Sequence, residues 1–383
     1  MRYNDKILLV GTCSDIRRNR FTGQSIMFDG VVSATKSVGF QVETVDISSR
    51  GGSGTFYRIL DYSVILLKVF ILLLINRIKL LYLVTSQSRR GFYRDFWIIG
   101  ICRLFRVKVV THQYGANYNQ MLNSMNKREI ALLKRTTDYI SSIIVEGEYM
   151  KNQFSFYSGY QDKVRVIPNG LPIEGVNVGH PKTYSSDKGP FRLFYLSNLI
   201  YSKGYFDVLR ALELLVHKHK LNVKCVFAGQ FLTASDDLVP NISNKEDFDV
   251  FIKQHNLVGH VEYFSGLYGD QKDYYFHTSN AFILPTYYIN EGQPVSILEA
   301  MAYGCVPIVT NYRHIPMMVN EFNGCYVEPN SPESICEAVI TLMEKPDLYA
   351  IKSIKSIEDY KAKFRFDIFS TKVLDVINDV LNK

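Results

Sequence analysis

Short apolar runs ending in Gly, Ser or Thr alternate along this chain with longer segments whose apolar positions recur at helical spacing. In the first half KILLVGT (6–12), FQVETVDI (40–47), LLYLVTS (80–86), VKVVTHQ (107–113) and YISSIIVEG (139–147) read as strands. Between them IMFDGVVSATKSVG (26–39) and FYRDFWIIGICRLFR (92–106) read as helices. The Pro-, Gly- and Ser-rich stretch 164–190 lacks helical periodicity and reads as a junction between domains. After it the rhythm restarts. FRLFYLSN (191–198), VKCVFAG (223–229), VEYFSG (261–266), AFILPT (281–286), VPIVTN (306–311) and NGCYVEP (323–329) read as strands. YFDVLRALELLVHKH (205–219), KEDFDVFIKQHNL (245–257) and DQKDYYFHTS (270–279) read as helices. Ser331-Pro332-Glu333 has the chemistry of a helix start: a serine cap, a proline at the first turn and early negative charge. Alternation of this kind predicts two doubly wound α/β domains with parallel sheets, and ligands beyond the carboxyl ends of the strands.

The most hydrophobic segment, YSVILLKVFILLLINRIKLLYLV, is broken by Lys68, and the apolar piece after that lysine is seven residues long. A membrane span needs about 20 consecutive apolar residues. The segment is therefore read as a buried or membrane-skimming helix to about Arg77, followed by a strand from about Leu80.

Composition adds a few boundaries. At 383 residues the chain is long for one core, which agrees with two domains. Six scattered cysteines form no metal-ligand spacing and read as buried free thiols, and no signal peptide is recognised at the start; both favour a cytoplasmic protein. The net charge is +7, and between Arg77 and Lys108 eight Lys/Arg residues stand against one acid, Asp95. A basic surface of that kind suits anionic lipid, nucleic acid or a phosphorylated substrate. The D-x-D string Asp247-Phe248-Asp249 opens a helical run and is read as N-terminal helix charge, not a metal site.

NEGQPVSILEAMAYGCVPIVTN (290–311) poses a chemical question, because Glu299 stands in the middle of an apolar helix. A buried carboxylate is costly unless something hydrogen-bonds to it. The loop YYINEGQP leaves the carboxyl end of the strand before it, and Pro294 fits the first helical turn. The amides of Gln293, Val295 and Ser296 would then face the interdomain cleft as a phosphate site. Glu291, followed by Gly292, could accept hydrogen bonds from sugar hydroxyls, and Glu299 could grip a vicinal diol such as a ribose.

These residues resemble the signature of the large GT-B family of retaining glycosyltransferases, usually called family 4. The resemblance implies two Rossmann-like doubly wound domains facing a cleft: residues 1–172 for the acceptor and 190–365 for the nucleotide sugar, with a C-terminal helix (about 366–383) packing back on the first. It pairs Glu291 with the donor sugar and Glu299 with the nucleotide ribose. YLSNLIYSKGYFDVL is similar to the family's second phosphate element, with Lys203 neutralising the leaving diphosphate. Asn198 stands where the family usually has Arg, so one donor-binding charge is replaced by an amide. NRFTGQSIM is similar to the loop after strand one, placing Gly23 close to the diphosphate, and VVTHQYGANYNQ supplies His112, which in the family contacts the donor sugar.

The activity implied is configuration-retaining transfer of a hexosyl group from a nucleoside diphosphate sugar, UDP-linked by preference. The acceptor is a hydroxyl of a glycan or lipid-linked acceptor in surface polysaccharide synthesis. No metal or other cofactor and no nucleic acid partner are expected. The basic stretch and the adjoining apolar helix point to peripheral contact with the inner face of the cell membrane. A non-catalytic scaffold or partner of an active transferase is the alternative, kept open by Asn198. A nicotinamide dehydrogenase is disfavoured, since no G-x-G-x-x-G follows the first strand.

Overall fold

In the computed structural model, residues 5–15, 22–48, 55–116, 118–171, 179–232 and 245–383 are described. The segment NRF (19–21) of the expected glycine loop and most of the junction's centre (172–178) lie outside them. Two compact units result: Met1–Pro172 with Phe366–Lys383, and Ile173–Arg365.

The first unit runs β1 (Lys6–Gly11), α1 (Gly23–Ser37), β2 (Gln41–Asp46), α2 (Thr55–Ile75), β3 (Ile78–Val84), α3 (Arg89–Leu104) and β4 (Lys108–Gln113). It continues with α4 (Tyr118–Ser124), α5 (Lys127–Tyr139), β5 (Ser142–Val145), α6 (Glu148–Asn152), α7 (Tyr160–Lys163) and β6 (Val164–Val166). Its six strands are parallel, in the order β2-β1-β3-β4-β5-β6. The inner strands β1, β3, β4 and β5 are largely buried because helices cover both faces of the sheet. Val164–Val166 corrects the sequence reading: the start of the junction pairs with β5 as an edge strand. A three-residue strand is too short to carry a periodic signal of its own.

The second unit runs β7 (Phe191–Leu196), α8 (Tyr205–Glu213), β8 (Val223–Ala228), α9 (Lys245–Gln254), β9 (Val261–Phe264), α10 (Gly269–Thr278) and β10 (Ala281–Leu284). Then come α11 (Val295–Ala302), β11 (Val306–Thr310), β12 (Cys325–Val327), α12 (Pro332–Glu344) and α13 (Pro346–Lys363). This sheet is also parallel, in the order β12-β11-β10-β7-β8-β9. Much of the chain's aromatic content lies here. Phe194 meets Phe276 at 4.9 Å and Phe227 meets Phe248 at 5.2 Å, edge to face, which is the favoured geometry for ring pairs. Ser331 caps α12 by accepting the Ser334 amide, with Pro332 at the first helical position.

The last helix, α14 (Phe366–Asn382), belongs to the first unit. It buries Phe369, Val373, Val376, Ile377 and Val380, and Lys108 Nζ donates to the carbonyls of Val380 and Leu381 at its end.

Candidate active site

Strand order locates the site in the second unit. β7 is the first strand; β8 follows on one side of it and β10 lies on the other, so the order reverses between β7 and β10. Loops leaving the carboxyl ends of two such strands diverge and leave a crevice. The loop after β7 carries Asn198 and ends in a tight turn, Tyr201–Lys203. The loop after β10 carries Thr286, Tyr288 and Glu291.

These two loops are tied together. The Tyr287 amide donates to the Ser202 carbonyl at 2.8 Å. Lys203 Nζ lies 3.4 Å from Glu291 Oε1 and donates to Ser197 Oγ at 3.1 Å, with the Tyr288 ring centroid 5.4 Å away. Thr286 Oγ1 donates to the other carboxylate oxygen of Glu291 at 2.8 Å. Both oxygens of a carboxylate that is 5% exposed are thereby satisfied. Gly204, next to the lysine, sits at φ +77° and caps α8 in a left-handed conformation.

Beyond Glu291, Gly292 is half-buried and Gln293 buried, and Pro294 is the N-cap residue of α11, one position earlier than a first-turn proline. No side chain caps this helix, and Val295 and Ser296 open its first turn, both half-buried. A helix start of this kind carries orphan amides and the positive end of the dipole.

Sequence reasoning offers no way to single out the partner of Glu299. Lys272 Nζ on α10 donates to Glu299 Oε1 at 2.5 Å, and Glu299 is 6% exposed. An ammonium on a charge-rich helix, twenty-seven residues away in sequence, satisfies the buried carboxylate. Thr286 was more accessible to reasoning, as a polar residue two positions after an apolar strand at a reversal point. Asn198 is exposed, and its carbonyl accepts the Ile200 amide.

Two further expected residues lie in the first unit. Gly23 is exposed and is the first residue of α1, where Thr22 and Ser25 form a capping box. His112 is fully buried at the end of β4. Its ring stacks on Tyr114 with centroids 4.1 Å apart, lies 6.2 Å from Phe369 of α14, and its Nδ1 shares a hydrogen bond with Tyr82 Oη. Its Nε2 has no hydrogen-bond partner among the described residues. Desolvation lowers its pKa from the usual 6.5 to about 3, so the imidazole is neutral. Between those values the unfolded chain binds a proton that the folded chain refuses. Stability contributed by this group is therefore full above about 6.5 and is lost as pH falls towards about 3. The expected outcome is that His112→Gln flattens the decline of folding stability over that interval, measured by denaturant unfolding at stepped pH. Equal pH slopes in variant and wild type would refute it.

The remaining motifs take ordinary roles. Asp247 lies in the first turn of α9, and Asp249 pairs with Lys245 at 2.5 Å. The six cysteines are free thiols, and burial raises the pKa of Cys102, Cys225 and Cys336.

Two doubly wound parallel sheets of six strands each are the fold of GT-B glycosyltransferases. Comparison with solved structures supports this fold across the chain. The structure of Alr3699/HepE from Anabaena in complex with UDP matches with a TM-score of 0.70 at 14% identity, covering 98% of this chain and 100% of that one. Sucrose-phosphate synthase from Thermosynechococcus elongatus matches with a TM-score of 0.73 at 12% identity, covering 99% of each. In sequence, an uncharacterized glycosyltransferase of Methanocaldococcus jannaschii is 23% identical over 289 residues, 72% of this chain and 70% of the relative. Residues 180–359 match the family described as glycosyl transferases group 1.

Proposed function

We propose that this glycosyltransferase moves a hexosyl group, with retention of configuration, from a nucleoside diphosphate sugar to a hydroxyl of a glycan or lipid-linked acceptor in surface polysaccharide synthesis. The observation that carries the reading is the Lys203–Glu291 pair beside the uncapped start of α11. A diphosphate leaving group needs positive potential as its charge develops, and Lys203 with the α11 amides would supply it. Glu291 would hold sugar hydroxyls and Glu299 the ribose, with Lys272 orienting the latter carboxylate. In front-face attack the departing phosphate oxygen accepts the acceptor's proton, so no side-chain base is required. UDP is the favoured nucleotide, in line with the UDP held by the Anabaena protein. A metal-independent reaction on the cytoplasmic side of the membrane completes the proposal.

The test is a thermal-shift screen of the purified chain against UDP, GDP, ADP and CMP, repeated with Glu299→Ala. At about 100 times its Kd, a ligand stabilises the native state by about 2.7 kcal/mol. The expected result is a rise in Tm with UDP that is lost in the variant. A rise of equal size in the variant would take the ribose away from Glu299. Absence of a shift with every nucleotide would favour a non-catalytic role, for which Asn198 is the motivating departure.

A further inference from the structure

The helix α2 is apolar on two opposite faces. Ile65, Val69 and Leu73 are buried in the core of the first unit, as its covering role requires. On the other side Leu67 is 58% exposed, Ile71 43%, Leu74 63% and Ile75 69%. Spacings of three and four residues align the first three on one outward stripe. The neighbouring α3 repeats the arrangement. Tyr93, Trp97, Gly100 and Leu104 follow one another at helical spacing, with Trp97 58% and Leu104 73% exposed. The two helices lie side by side on one face of the sheet, joined through Phe70, whose ring meets Phe105 edge to face at 5.7 Å. A helix apolar all round belongs to a deep core or to lipid, and an exposed apolar patch of this extent marks a docking surface.

Charge selects the occupant. From Tyr62 to Val107 every exposed ionisable side chain of the Lys, Arg, Asp and Glu types is basic, including Lys68, Arg77, Arg90, Arg103 and Arg106. Asp95, the one acid in that span, is buried against Arg94, whose guanidinium donates to it at 2.7 and 2.8 Å. Arg94 and Lys108, both counted in the basic stretch by sequence, are thus engaged internally. Arg89 and Tyr93 both donate to the buried Glu129 at 2.6 Å. Apolar side chains flanked by exposed bases match the interface of an anionic bilayer: alkyl and indole groups enter the acyl boundary while Lys and Arg stay at the headgroups. No described helix is long and apolar enough to cross a membrane, and what α2 and α3 offer together is a surface contact.

We propose that the outward face of α2 and α3 docks this protein on a membrane containing anionic lipid, which goes beyond the donor chemistry and stands without it. Trp97 is the only tryptophan of the chain, so its emission reports on this face alone. The experiment titrates the full chain with vesicles of phosphatidylcholine, with or without phosphatidylglycerol, while following Trp97 fluorescence. The expected result is a blue shift, with quenching by lipid brominated in its acyl chains, on the anionic vesicles. Arg103→Gln with Arg106→Gln should weaken the partition by about thirtyfold at low salt. Ile71→Ser with Leu74→Ser should abolish the shift, while an unchanged far-ultraviolet circular dichroism spectrum and a cooperative thermal transition show that these variants are folded. Unaltered Trp97 emission with both vesicle types would overturn the proposal. So would equal binding to neutral vesicles, or a shift that follows protein concentration without lipid and marks a second copy as the occupant.

Discussion

Replacing Lys203 with alanine is expected to lower turnover of the donor by about a hundred- to a thousandfold, the range seen when one preorganised electrostatic group is removed from a reacting centre. The side chain is held by Glu291, Ser197 and the Tyr288 ring, so its ammonium is positioned before any ligand arrives. Preorganisation matters because a group already in place has no reorganisation to undergo as charge develops on the leaving phosphate. The loss should fall mainly on kcat, with a smaller effect on donor affinity, because the charge grows in the transition state. Lys203→Arg should restore only part of the rate, since a planar fork does not occupy the place of a compact ammonium. Steady-state kinetics of diphosphate release, with donor binding measured separately, check the split. A kcat within a factor of about three of wild type would remove Lys203 from the mechanism.

Gly204→Val should destabilise the second unit by about 2–5 kcal/mol. Two independent effects act at once. The residue sits at φ +77°, a left-handed conformation that a β-branched residue adopts only under strain. A Cβ there would stand 2.5 Å from the Pro285 carbonyl oxygen and 2.7 Å from the Pro285 ring. Pro285 follows β10 directly, so the backbones of the two site loops approach as closely as a missing side chain permits. Relief would require the loops to part, and Lys203 would move away from Glu291. The variant should therefore lose stability in denaturant unfolding and lose its nucleotide response together. Native stability with a normal response would show that the turn can adapt.

The sheets were legible because buried parallel strands are short, apolar and punctuated, and their turns carry small polar residues. Helix starts such as Ser331-Pro332 were equally plain, since capping chemistry is local. What escaped depends on contacts between distant parts of the chain. Nothing around Lys272 in GDQKDYYFH distinguishes it from a solvated charge, yet it neutralises Glu299 across two helices. The same holds for Arg94. It reads as part of a basic surface, but pairs with its immediate neighbour Asp95 in a buried position, whereas side chains adjacent in a helix ordinarily diverge. His112 was legible as a residue at a strand end. Its enclosure by Tyr82, Tyr114 and Phe369 depends on a helix more than two hundred and fifty residues later. Lys203, Glu291 and Glu299 could be named from the sequence, whereas the bond from Lys272 to Glu299 could not.

That late helix has a consequence for how the protein is made. During synthesis the ribosome completes the first six strands long before it reaches α14, and the second unit emerges in between. Until Phe369, Val373 and Ile377 arrive, the apolar surfaces that they cover remain open, and the carbonyls that Lys108 binds do not yet exist. The first unit to be translated is therefore the last to be finished. A released chain truncated before Phe366 should hold a complete second unit and an incomplete first one, dependent on holdase chaperones for its solubility.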